Sequence, residues 1–182
     1  MNTNKIIYLI FPLFLFSCNH SRLEQKIEAF SNSHIELMLD SMLNGRPLNE
    51  MISITQSQFV YVSYVDSFAC SSCNLAHISN WYYLTRDLKR TDFCNIYIIF
   101  PTKKDRNFII EKIGRNLLDG KRVYIDTTGV FERHNPHLPK EQVLHTFLIN
   151  KDRNVVLIGN PLESKRIENL FKRFVSKEMM YK

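Results

Sequence analysis

The chain has 182 residues, 45% hydrophobic and 23% charged, with a formal net charge of +6. That length and apolar content suit one domain with a proper core plus extensions. The basic residues are dispersed as pairs, Lys89-Arg90, Lys103-Lys104, Lys121-Arg122, Lys165-Arg166 and Lys172-Arg173. This is the pattern of solvated faces, and it excludes the clustered stripe and matching module of a nucleic-acid binder.

The first predicted element is a leader. Lys5 precedes an apolar run from Ile6 to Phe16, shorter than the ~20 residues of a membrane span and suited to a signal-peptide core. It ends in Leu15-Phe16-Ser17-Cys18, which resembles a bacterial lipoprotein processing site. The resemblance implies a signal peptide over 1–17, cleavage before Cys18 and lipidation of Cys18. Several acyl chains hold a protein on a bilayer where one holds only marginally. The expected location is the cell envelope, anchored to the outer membrane and facing the periplasm. Residues 18–50 are then the lipidated cysteine, a tether and an N-terminal helix, and 51–182 the folded domain.

Residues 19–32 read as a polar tether that becomes helical. Ile35, Met38, Leu39, Met42 and Leu43 recur at helical spacing, with Ser33 as N-cap and Gly45-Arg46-Pro47 as a stop, so a helix is predicted there. From Gln58 the pattern changes. "QFVYVSYV" is a β-branched and aromatic strand. Cys70 to about Arg90 is a helix with the stripe Leu75, Ile78, Trp81, Tyr82, Leu84 and Leu88. "CNIYIIF" is a strand buried on both faces, with Cys94 as a small core residue. "DRNFIIEKIGRNLL" is a helix and "RVYIDT" a strand, with Asp126 capping the turn Thr127-Thr128-Gly129. "GVFERHNPHLP" is a short helix or turn running into a loop, where His134 and His137 are expected to be exposed. "TFLINKDRNVVLIGNP" is a hairpin, and "ESKRIENLFKRFV" a helix with Ile167, Leu170, Phe171, Phe174 and Val175 on one face. The order β-α-β-α-β-(short α)-β-β-α indicates an α/β protein. Its sheet is mostly parallel, covered on both faces and closed by an antiparallel hairpin.

Export changes how the cysteines read, because an exported compartment permits disulfides. With Cys18 lipidated, Cys70, Cys73 and Cys94 remain, an odd number. The motif Cys70-Ser71-Ser72-Cys73 has three readings: a redox dithiol, a pair of metal ligands or a structural disulfide. Thiol-disulfide exchange needs a thiolate. A cysteine at a helix N-terminus faces unpaired N–H groups and the positive end of the dipole, which favour that form. Cys70 has this place and is the candidate nucleophile; Cys73, one turn in, resolves the mixed disulfide. As metal ligands, Cys70, Cys73 and His77 have C-x-x-C-x₃-H spacing, and with His145 could take zinc or copper.

A strand, a C-x-x-C opening a helix, a β-α unit, a β-hairpin and a C-terminal helix together resemble the thioredoxin fold. "RVYIDTTGVFERHN" resembles the βα insertion of TlpA-type periplasmic thiol-disulfide oxidoreductases, and "HTFLINKDRNVVLIGNP" resembles their hairpin. With the lipoprotein leader, the chain is most similar to thioredoxin-like lipoproteins of Bacteroides-type bacteria. The resemblance spans about Gln58 to Val175. It implies a lipid-anchored reductase whose Cys70–Cys73 disulfide is its redox centre, with no further cofactor. Its partners would be a protein or small-molecule disulfide and a membrane electron donor. It places Glu111 and Asp126 where some members carry proton-relaying acids. It places Leu144, His145 and Thr146 on the substrate-facing segment, and His145 near the dithiol.

Three positions depart from the pattern. Ala69 stands where an aromatic is usual, Ser71-Ser72 separates the cysteines, and Leu144 occupies the place of a cis-proline. A cis bond before a non-proline residue costs about 3–4 kcal/mol, so Leu144 is expected in trans. Copper chaperones of the Sco type share this fold but use a motif one residue longer. A non-catalytic thioredoxin-like module with a structural disulfide completes the alternatives.

Overall fold

The computed structural model describes residues 22–43, 54, 56–69, 84, 93–114 and 122–180. Helix α1 covers residues 22–30. The strands are β1 (Phe59–Val65), β2 (Phe93–Ile99), β3 (Val123–Ile125), β4 (Thr146–Asn150) and β5 (Val155–Ile158). Helices α2 (Arg106–Gly114), α3 (Val130–His134) and α4 (Lys165–Met180) follow β2, β3 and β5. The predicted helix over Cys70–Arg90 lies outside the described residues, except for helical Leu84.

The five strands form one sheet in the order β3-β2-β1-β4-β5. β1 pairs parallel with β2, and β2 parallel with β3. β4 runs antiparallel to β1, and β5 antiparallel to β4. This is the expected α/β mixed sheet: a parallel half made by crossovers and a hairpin half. Alternation along the strands separates two cores. Val60, Val62 and Tyr64 of β1 join Cys94, Ile96 and Ile98 of β2 on one face. Phe59, Tyr61 and Val65 join Phe93, Tyr97 and Ile99 on the other. Ile109 of α2 and Phe171 and Val175 of α4 cover that second face. Leu170, expected on the buried stripe of α4, is 41% exposed; the narrower stripe of Phe171, Phe174 and Val175 suffices to seat the helix.

The first face is covered differently from expectation. The predicted helix over residues 33–43 is absent. The chain leaves α1 through Asn32 (φ 63°), runs extended, and makes a short 3-10 turn at Leu39–Ser41 after Met38 (φ 51°). The reason is visible in burial. Ile35, Leu37 and Leu39 are buried while His34, Glu36 and Asp40 are exposed, a period of two that the helical spacing masked. Residues expected to lie outside the folded domain therefore contribute Phe30, Ile35, Leu37, Leu39 and Met42 to its core.

This N-terminal strap crosses the whole sheet. At one edge Asn32 N–H donates to the Val155 carbonyl, and Val155 N–H to that of Ser33, both at 2.9 Å. At the other edge Leu43 and Ile125 exchange both backbone hydrogen bonds, at 3.0 and 2.8 Å. Between them the buried Asn135 carboxamide clasps Glu36, accepting its N–H and donating to its carbonyl, each at 2.9 Å. Phe30 meets Phe147 edge-on at 5.1 Å between ring centroids.

If the strap belongs to the core, Phe30→Ala destabilises the protein by about 3–5 kcal/mol, read as a lower urea midpoint. A loss below about 1 kcal/mol would make the strap an accessory.

Candidate functional site

The apolar run of β1 ends at Asp66, and the next residues form a tight turn. Asp66 Oδ1 accepts the N–H groups of Phe68 and Ala69, both at 2.9 Å. Ala69 N–H also approaches the Asp66 carbonyl at 3.2 Å. This use of an aspartate to satisfy backbone donors two and three residues on is why the chain turns here. Phe68 is left 91% exposed.

The turn forms one wall of a cleft of about 260 Å³, together with Tyr64 and Val65. The opposite wall is the 3-10 turn Gln142–Leu144 and the start of β4, which contribute Gln142, Val143, His145 and Thr146. Asn160 and Glu163, beyond β5, close the third side. β5 reaches that loop through Gly159 (φ +116°), where a Cβ would press on Ile167 at 3.1 Å. The cleft thus lies outside the C-terminal end of the central strand, between its parallel and antiparallel neighbours, where open α/β sheets place their sites.

Asp66 and His145 are buried here, at 6% and 4% exposure. His145 Nδ1 lies 3.7 Å from Asp66 Oδ2. Its Nε2 lies 2.7 Å from the Pro139 carbonyl; a carbonyl only accepts, so Nε2 carries a proton. Gln142 Nε2 donates to Asp66 Oδ1 at 3.1 Å. The His145 ring packs 5.3 Å from that of Tyr64, whose hydroxyl donates to Glu132 Oε1 at 2.9 Å. Burial first, and then that hydrogen bond, push the Tyr64 hydroxyl well above the ordinary phenol range. Behind this wall, the Lys26 ammonium of α1 hydrogen-bonds the Glu141 carboxylate and holds it below the usual range.

Of the residues singled out in the sequence, the structure brings His145 and Thr146 to the cleft. Leu144 is buried instead of lining it. No cis peptide bond occurs among the described residues, so the Leu144 bond is trans as expected. Cys18, Cys70, Cys73 and His77 lie outside the described residues, as does Trp81. His145 turns both ring nitrogens inward, so binding a metal would require it to surrender the Pro139 contact or the face it presents to Asp66. The described residues contain no group of three or more His, Cys, Asp or Glu side chains placed to hold a metal. Asp126 caps α3, accepting from Thr128, Val130 and Phe131 N–H at 3.1, 2.9 and 2.9 Å; Glu111 sits exposed on α2. His134 and His137 are exposed as expected.

Sequence reading missed Asp66, Gln142 and Tyr64. The signal for Asp66 was present: an acid directly after an apolar strand and before a turn. Nothing local marks Gln142, whose partner is 76 residues away.

A scan against protein-family models gives no match, and a search of curated proteins gives none. Among solved structures the chain is similar to the N-terminal domain of PilB from Neisseria gonorrhoeae, with a TM-score of 0.47 and 19% identity over 68% of this chain and 80% of that one. It is similar to the exposed lipoprotein thioredoxin Etrx1 of Streptococcus pneumoniae strain TIGR4, with a TM-score of 0.45 and 17% identity over 69% and 89%. It is also similar to the reduced N-terminal domain of PilB from N. meningitidis, with a TM-score of 0.44 and 20% identity over 68% and 84%.

Cys94, away from the cleft, is the buried strand residue expected. Burial pushes its thiol up to about 11, against a smaller pull from Arg122. A thiol that ionises less readily when folded stabilises the fold fully below its unfolded value of 9.0 and loses that contribution as pH climbs through about 11. Tyr61 and Tyr64, pushed up further, lose theirs higher still. Urea titrations are therefore expected to show stability falling with pH across that window. Cys94→Ala should remove a slope worth on the order of 2–3 kcal/mol; an unchanged slope would mean the thiol is not sealed.

Proposed function

We propose that the protein is a lipid-anchored thiol-disulfide oxidoreductase of the cell envelope, acting as a reductase through Cys70 and Cys73. The observation that carries this reading is the place of Ala69. It lines the cleft beside His145 and Thr146, and it directly precedes Cys70 in the sequence. A C-x-x-C motif following a residue of this cleft, at the end of the central strand, supports a dithiol that meets its client there. Residues three apart on the helix predicted from Cys70 face each other, which suits a dithiol that closes reversibly.

In the proposed cycle the Cys70 thiolate attacks one sulfur of a client disulfide. An S–S bond forms between Cys70 and the client, and the client's other sulfur leaves as a thiolate. The Cys73 thiolate then attacks the Cys70 sulfur, closing Cys70–Cys73 and releasing the second client thiol. Two electrons pass to the client, and a dithiol donor at the membrane returns them by the same exchange in reverse. The TlpA-type assignment, the Cys18 anchor and the periplasmic outer-membrane location belong to this reading; the first is supported by "RVYIDTTGVFERHN" and the hairpin sequence, the others by the leader sequence. Among the described residues no helix is long and apolar enough to cross a membrane.

The test is the equilibrium potential of Cys70–Cys73 in thiol buffers with metal content read in parallel. A reversible, metal-free couple between roughly −120 and −270 mV is expected, and Cys70→Ser should abolish exchange with an unchanged melting temperature. A disulfide still closed below about −300 mV would make the pair a structural staple, and a stoichiometric metal would make it a ligand set. Cys18→Ser should move the protein from the membrane fraction to the soluble one; retention in the membrane would remove the lipid anchor.

A further inference from the structure

The two walls of the cleft come from segments far apart in sequence, and one carboxylate joins them. Asp66 Oδ1 collects three N–H donors: Phe68 and Ala69 from its own turn, and Gln142 Nε2 from across the cleft. Asp66 Oδ2 faces His145 Nδ1 and lies 3.4 Å from Gln142 Nε2. His145 is held in turn by the Pro139 carbonyl and by the Tyr64 ring. Burial of Asp66 and His145 keeps bulk water from competing for these contacts. Up to His145 the second wall is registered by backbone, through the β1–β4 ladder and Tyr64 N–H donating to the His145 carbonyl at 2.9 Å; beyond it, where no proline ring stiffens Leu144, the Asp66–Gln142 bond ties it to the first wall.

We propose that Asp66 and Gln142 are positioning residues. They form a polar clamp that sets the separation of the cleft walls and, through the peptide bond leaving Ala69, the presentation of the Cys70 sulfur to a client disulfide. The proposal rests on the thiol-exchange reading above. The clamp touches no reacting atom; it fixes where the reacting atoms meet, and displacements near 1 Å are enough to change such rates.

The experiment uses the full chain in reduced form. Alkylation of Cys70 by iodoacetamide is followed by peptide mass spectrometry, with melting temperature recorded for each variant and exchange with an aromatic disulfide read on the same samples. Asp66→Ala and Gln142→Ala are expected to change the Cys70 alkylation rate about threefold or more. Asp66→Asn keeps the Oδ1 acceptor for all three donors and should stay near the wild-type rate, as should Leu170→Ala on the far helix. Wild-type rates in both Asp66→Ala and Gln142→Ala would overturn the clamp, as would an Asp66→Asn change equal to that of Asp66→Ala. If Asp66→Ala does not fold, Gln142→Ala decides, because that side chain bonds Asp66 across the cleft and caps no turn. A wild-type protein that exchanges with no disulfide would defeat the thiol-exchange reading, while the alkylation rates would still decide the clamp.

Discussion

The structure depends on β1 having to be buried on both faces. Six of its seven residues are buried, and it is hydrogen-bonded on both sides, to β2 and β4. A strand in that position needs apolar cover above and below, and a 182-residue chain has few elements with which to supply it. The second face takes α2 and α4, which are local to the strands they follow. The first takes α3 and the N-terminal strap. The cleft is a by-product of the same arrangement. Where β1 stops, the chain must turn away between a parallel and an antiparallel neighbour, and the gap left there is lined by whatever turns the sequence provides.

Those turns are held by buried polar groups that take the part of backbone. Asp66 satisfies the donors of residues 68 and 69, Asp126 those of 128, 130 and 131, and Asn135 both the donor and the acceptor of Glu36. Each replaces a hydrogen bond that an irregular, buried main chain would lose. Asp66, like Asn135, reaches beyond its own turn, here to the segment before β4, so the shape of the cleft is tied to the path of both walls at once.

How much of this was legible depends on range. The strands β1, β2 and β4–β5 and helices α2 and α4 announce themselves by apolar runs and periodicity, and the element order yields the mixed sheet. The Asp126 cap and the burial of Cys94 follow from neighbours within a few residues. The strap was misread because Ile35, Met38, Leu39 and Met42 fit a helix as well as Ile35, Leu37 and Leu39 fit an extended segment. Only the sheet edges, more than 80 residues away, decide between them. The same holds at the site: His145 was found through its place before the hairpin, whereas its partners Asp66 and Gln142 are brought together by tertiary folding alone.

The strap also orders events in time. It is the first part of the described chain to be made, yet its partners are β5 at one edge and β3 at the other, with Asn135 between. Until residues near 155 exist the strap lacks its β5 edge, and the face it shares with α3 stays incompletely sealed. Contacts this distant in sequence are late to form because loop closure must precede them. A nascent chain of this design therefore remains pliable until it is almost complete.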